Sequence, residues 1–196
     1  FGPDLSRSGW VVVSFPSIAS ASFKATDRVT LDVSTASSAG MLWRKVGDAH
    51  GQARRASWRW TVIEGVPPTD LTRRGADDRA LAVYFVFGAA ADASRSPLAL
   101  LGSPAVTALV YVFGGDKPAG AVLPSPHMGA RGKFIVLRPA DARKNAWFEE
   151  SVDLAKDYAR AFGTSPPLLL AVAISSDSDD TGRRNHARLR YLAINK

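Results

Sequence analysis

Apolar and β-branched residues recur in short runs, each closed by glycine, proline or small polar residues, a pattern that favours strands over helices. The runs predict about nine strands, at residues 10–14, 28–34, 41–46, 55–63, 80–87, 106–113, 133–137, 168–174 and 187–194. The punctuation between them, Gly47-Asp48, Pro67-Pro68, Gly75, Gly114-Gly115, Pro124 to Pro126, Pro139 and Gly163, suits an all-β protein. Gly129 to Gly132 reads as a further turn. No internal repeat is present.

Alternation within the runs indicates which faces are buried. Trp58, Trp60 and Val62 share one face and Arg59, Thr61 and Ile63 the other; Leu189, Tyr191 and Ala193 are expected to oppose Arg190, Leu192 and Ile194. Runs 80–87 and 168–174 are apolar on both faces, as expected of central strands covered by a partner sheet on one side and by a helix or loops on the other. One segment departs from this rhythm. Ser151 to Phe162 places Val152, Ala155, Tyr158, Ala159 and Phe162 on one helical face, with Ser151 or Glu150 as N-cap and Gly163 at C′. One helix among many strands argues against a doubly wound α/β fold. The predicted architecture is an all-β, two-sheet β-sandwich over residues 1–196, with one amphipathic helix near 151–162.

Candidate chemistry gathers after run 168–174, where Ser175-Ser-Asp-Ser-Asp-Asp-Thr-Gly182 holds three carboxylates within four residues. Such crowding needs a cation, arginines or backbone N–H groups among the acids. Asp177, Asp179, Thr181 and Gly182 occupy the first, third, fifth and sixth places of a calcium-loop pattern, with Thr181 replacing an acid or amide. The residues after Gly182 include no glutamate at the bidentate position, so a complete EF-hand is excluded. Asp177, Asp179 and Thr181 are therefore the candidate Ca²⁺ ligands, supplemented by Asp70, Asp77 or Asp78 if the two acidic loops meet. The competing structural reading is that these acids cap the turn and pair with Arg183, Arg184 or Arg73.

Aromatics offer a second route to a ligand, because Trp and Tyr rings stack on sugar rings. Trp58 and Trp60 are expected in the core, which leaves Trp43 and Trp147 as exposed platforms, with Asp70, Asp77 and Asp78 as polar ligand-binding candidates. The three histidines show no zinc-hydrolase spacing, and no nucleophile elbow, phosphate-binding loop or dinucleotide fingerprint occurs, so no catalytic residue is assigned. Many carboxylates could form a glycosidase pair, which keeps a glycan hydrolase as an alternative.

Composition narrows the classes further. The net charge of +7 permits an anionic partner, but the basic residues are scattered as pairs and form no stripe, which disfavours nucleic acid. Cysteine is absent, excluding thiolate chemistry and cysteine-based zinc sites. No apolar run approaches the roughly 20 residues of a membrane-spanning helix. The start at Phe1 is expected to follow removal of a signal peptide, placing the protein outside the cytoplasm, in the periplasm.

Trp58-Arg59-Trp60, Asp70 to Asp78 ahead of Val83 to Phe87, Tyr111-Val112-Phe113, Trp147 with Glu149 and Glu150, Asp157-Tyr158, Phe162-Gly163 and Ile174 to Gly182 occur in an order that resembles a bacterial domain-of-unknown-function family, the one numbered 3047. The layout is also similar to jelly-roll carbohydrate-binding modules of the galactose-binding type. The resemblance implies a jelly-roll sandwich and no particular activity. The functional expectation is a non-enzymatic binding module of the cell envelope for a saccharide or related polar ligand, with a structural cation. A glycan hydrolase using paired carboxylates, or a protein-protein interaction domain, is the alternative.

Overall fold

A computed structural model describes residues 1–47 and 50–196, so part of the turn expected at Gly47-Asp48 lies outside the described residues. Among these residues twelve strands build a two-sheet sandwich of jelly-roll type. The seven-stranded sheet runs β1 (Trp10–Val13), β4 (Ala39–Lys45), β11 (Leu168–Asp177), β6 (Arg79–Gly88), β7 (Thr107–Phe113), β9 (Gly129–Arg138), β8 (Val122–Ser125). The five-stranded sheet runs β10 (Phe148–Asp153), β5 (Arg55–Glu64), β12 (Arg184–Asn195), β3 (Thr30–Ala36), β2 (Ser22–Ala25). Every strand pair is antiparallel except β7 with β9.

Between the sheets lies an aromatic core. Trp58 and Trp60 are both buried and meet edge to face at 5.4 Å; Trp58 also packs on Tyr111 at 5.6 Å and Trp60 on Phe113 at 5.6 Å. The indole N–H of Trp60 donates to Glu150 Oε1 at 2.8 Å, and Arg138 Nε donates to the same oxygen at 2.8 Å, so a buried carboxylate and a buried indole satisfy each other. A second apolar layer covers the outer face of the seven-stranded sheet, where Met41, Trp43, Tyr84, Val86 and Val110 meet Leu71, Leu100 and Met128 from outside the central strands. This layer explains why β6 is buried along its whole length and β11 at every position between its two ends.

Four expectations need correction. The helix α2 is Leu154–Phe162, capped by Asp153, whose carboxylate accepts from Lys156 N at 2.9 Å, while residues 148–153 form β10 because their backbones pair with β5 down to Asp153 opposite Arg55. Gly163 does take the left-handed conformation at C′, with φ 74°. A short helix α1, Pro97–Gly102, and strands β2, β8 and β10 were not anticipated. The segment at Gly129 to Gly132 is strand, the opening of β9.

Fourthly, the alternation expected for the last strand breaks at a β-bulge between Arg190 and Ala193. Leu189 is buried, but Tyr191 is 53% exposed and sits at φ 56°, a left-handed conformation that costs a side-chain-bearing residue about 1–2 kcal/mol.

Candidate functional site

The start of β6 and the end of β11 lie side by side, with Arg79 directly opposite Asp177 in the ladder. That register brings the two acidic loops together, as the sequence left open. Arg79 cannot reach solvent at the head of a fully apolar strand, so its guanidinium is held internally. Nη1 lies 3.3 Å from Asp77 Oδ2 and 3.4 Å from Asp177 Oδ2, and Nη2 donates to Tyr84 Oη at 2.9 Å. Its Nε has no hydrogen-bond partner among the described residues. His127, from the turn between β8 and β9, sits with Nε2 3.1 Å from Asp77 Oδ2. Behind them, Asn185 fastens the sheet ends: its Nδ2 donates to the carbonyls of Asp177 and Arg79 and its Oδ1 accepts from Val66 N.

Asp78 is fully buried and its carboxylate accepts from the backbone N–H groups of Thr181, at 2.7 Å, and Asp180, at 3.3 Å. Carboxylate oxygens of Asp78, Asp179 and Asp180 lie within 4.8 Å of one another, so this trio could hold a metal ion. The membership differs from the sequence expectation. Asp177 is drawn away to Arg79, and Asp78 takes its place. Thr181 Oγ1 is buried without a hydrogen-bond partner. No ion pair joins the acidic turn to Arg183, Arg184 or Arg73 among the described residues; the compensating cation is Arg79, which the sequence places in one loop with Asp77 and Asp78 as a neutraliser of those acids and which here also meets Asp177. Its signal was there, since an arginine heading an eight-residue apolar run has no wet face to occupy.

The electrostatics follow from this packing. Burial, opposed by the Arg79 guanidinium and reinforced by a hydrogen bond and repulsion from Asp179 and repulsion from Asp78, pushes the Asp177 carboxyl up to about 9. Burial would also raise Asp77, but His127 and Arg79 hold it below its ordinary value. The Asp180 carboxyl is raised by burial and by Asp78, Asp179 and Asp77. A carboxyl raised on folding favours the protonated native state, so its stabilising contribution is complete below the unfolded value near pH 4 and is lost as pH climbs through about 9. Chemical denaturation of wild type between pH 5 and about 9 should therefore show stability declining with pH, and Asp177→Asn should flatten the decline. An unchanged slope in the variant would remove Asp177 as its source.

These groups form the floor of a cleft of about 510 Å³ on the outer face of the seven-stranded sheet. Phe15, Ile18, Leu98, Leu101 and Met128 supply apolar walls, and Asp77, Asp177, Asp179 and Asp180 line it with only Arg79 and His127 of opposite character. In a chain of net charge +7, the cleft is locally acidic.

The remaining candidates fall elsewhere. Asp70 lies outside this cleft, where Thr72 N and Thr72 Oγ1 donate to it and hold its carboxyl below the ordinary value. Trp43 is 2% exposed and enclosed by the outer apolar layer, which corrects its expected role as a platform. Trp147 is 40% exposed, with the Arg190 guanidinium 4.0 Å from its ring centroid. His186 pairs with Asp32 at 2.9 Å, away from the acidic turn.

Comparison with solved structures returns β-rich proteins of low identity. The xyloglucanase domain of NopAA, a type three effector from Sinorhizobium fredii in complex with cellobiose, is 10% identical with TM-score 0.48, covering 99% of this chain and 93% of that one. A thermostable cellulase derived from Cel12A of Rhodothermus marinus is 13% identical with TM-score 0.47, covering 96% and 92%. A carbohydrate-binding module specific for non-crystalline cellulose, CBM28, is 11% identical with TM-score 0.42, covering 97% and 88%. Likenesses this distant carry no argument about the chemistry of the cleft. No curated protein matches the chain by sequence. A family model does match, over residues 8–193, and the chain belongs to that family, described as "Protein of unknown function (DUF3047)".

Proposed function

We propose that this protein is a non-enzymatic binding module of the cell envelope, exported to the periplasm, whose cleft takes a saccharide or a related polar, uncharged ligand. The observation that carries the reading is the cleft itself: about 510 Å³, apolar at the walls, with a floor of carboxylates fixed by a buried arginine. A pocket of this size with a few convergent polar groups is the usual form of a small-ligand site. Vicinal hydroxyls donate well to carboxylate acceptors, while the excess of negative charge repels an anion.

The test is calorimetric titration with neutral oligosaccharides, read alongside thermal unfolding. A binder should raise the melting temperature without turnover, and Asp179→Asn or Leu101→Ala should weaken binding by about tenfold. Absence of binding across the panel by folded protein would remove the reading.

The gathering of Asp77, Asp177, Asp179 and Asp180 around one cleft also supports the second reading, a glycan hydrolase using paired carboxylates. Release of reducing ends from the same oligosaccharides, lost in Asp177→Asn with binding retained, separates the two.

The Asp78, Asp179 and Asp180 trio is the structural cation site in this reading, with Ca²⁺ as the ion suited to carboxylate oxygens. Calcium at about 100 times its dissociation constant should add about 2.7 kcal/mol of stability, and Asp179→Ala should abolish the gain. A melting temperature unmoved by millimolar calcium in protein verified as metal-free would exclude it.

A further inference from the structure

Four of the five tryptophans, Trp10, Trp43, Trp58 and Trp60, are buried, and Trp147 alone is substantially exposed. Across Arg190 from it lies Tyr191, whose conformation core packing does not explain. Tyr191 holds a left-handed backbone conformation at φ 56°, yet its ring is 53% exposed, so the strain is not offset by burial of the residue that bears it. The conformation is maintained from outside, by the bulge between Arg190 and Ala193 and by a hydrogen bond from Tyr191 N to Val29 O at 3.1 Å. Bulges re-aim side chains, and strain that packing does not repay is a mark of a functional surface.

What the bulge presents is a row of three. The Arg190 guanidinium lies 4.0 Å from the Trp147 ring centroid and 5.4 Å from that of Tyr191. Of the other arginines on this face, Arg59 is paired with Glu149 and Arg188 with Asp32, while Arg55 and Arg184 are exposed at the strand ends. Among the described residues no carboxylate pairs with Arg190, and its Nε is buried without a hydrogen-bond partner. None of the residues lining the acidic cleft belongs to this sheet.

We propose that Trp147, Arg190 and Tyr191 form a second ligand site, for an acidic saccharide: a uronate ring stacks on the exposed aromatic surface and its carboxylate pairs with the Arg190 guanidinium. The proposal rests on the reading of the protein as a saccharide-binding module, and it divides the labour between two faces. The cleft repels anions, whereas the Arg190 stack is an unneutralised cation flanked by the ring surfaces that pyranose C–H groups favour.

Oligogalacturonate is the probe and its methyl ester, with the same rings but no charge, the control. Binding is read by protection of Trp147 from acrylamide quenching and by calorimetry. The free acid should bind at least about tenfold more tightly than the ester, and Trp147→Ala or Arg190→Met should abolish that preference. Tyr191→Gly gives the sharpest reading. It should raise the melting temperature by roughly 2–4 °C by relieving the backbone, while weakening binding; Tyr191→Phe should bind as wild type. Equal binding of acid and ester, or losses that follow Asp179→Asn in the cleft, would overturn this site and leave the cleft reading standing. Failure of the acid to bind while neutral oligosaccharides do would have the same meaning. No binding of any saccharide would overturn both, and tighter binding of a single-stranded oligonucleotide would assign the stack to bases instead.

Discussion

Replacing Arg79 by methionine is expected to lower the free energy of unfolding by about 3–5 kcal/mol, which for a chain of this size is a fall of roughly 6–20 °C in melting temperature. The methionine fills much of the same volume, so the loss is electrostatic. Asp77 is left buried with only His127 beside it, Asp177 loses its one cationic neighbour, and the Tyr84 hydroxyl loses its donor. Removing one member of a buried charged cluster costs far more than the cluster itself contributes, because the partners stay desolvated. Urea denaturation measures it. A loss below about 1 kcal/mol is the scale of a solvent-exposed pair and would mean that the cluster is open to water.

Trp60→Ala is expected to cost about 3–5 kcal/mol. Its ring is fully buried among Trp58 and Phe113, and truncation opens a cavity that the β5 backbone, paired to β10 and β12 on both sides, cannot collapse to fill. The substitution also takes the indole donor from Glu150, leaving that buried carboxylate to Arg138 alone. Trp60→Phe keeps most of the volume and isolates the lost hydrogen bond, and should cost about 1–2 kcal/mol. If the alanine variant is no less stable than the phenylalanine variant, the two-sheet core around β5 is misassigned.

Periodicity carried the centre of the fold into view and lost its margins, for a physical reason. Strands β6 and β11 are flanked and covered on all sides, so residues 80–87 of the one and 168–174 of the other are apolar on both faces, and β5 displays its buried face as alternating tryptophans. The missed strands are margins. In Ser22–Ala25, Val122–Ser125 and Phe148–Asp153 no residue run is apolar enough to announce a strand; each lies at the edge of its sheet, with one hydrogen-bonded neighbour and solvent on the other side. The polar Ser151-Val-Asp153 stretch, with Glu150 before it, accordingly reads as the start of a helix.

The site shows the same division. That the Asp77-Asp78 loop and the turn after β11 both carry excess acid is plain from composition, and so is the need for compensation. For Asp77 the answering cation, Arg79, stands two residues away; that the same arginine also answers Asp177 depends on register between two strands almost one hundred residues apart, and no local pattern encodes that pairing. Arg183 and Arg184 are nearer in sequence but stand just before and at the start of β12, where both are exposed. Exposure of Trp43 and Tyr191 was likewise decided by long-range features, an extra apolar layer over one sheet and a bulge in the other.

The cleft reading stands or falls on where a neutral oligosaccharide touches the protein. Backbone amide shifts followed through a titration with cello- and chito-oligosaccharides should change at Gly75, Gly102, His127, Met128 and Asp180, which surround the cleft. Saturating shifts confined to amides distant from that set, or none at all in folded protein at millimolar sugar, would contradict it.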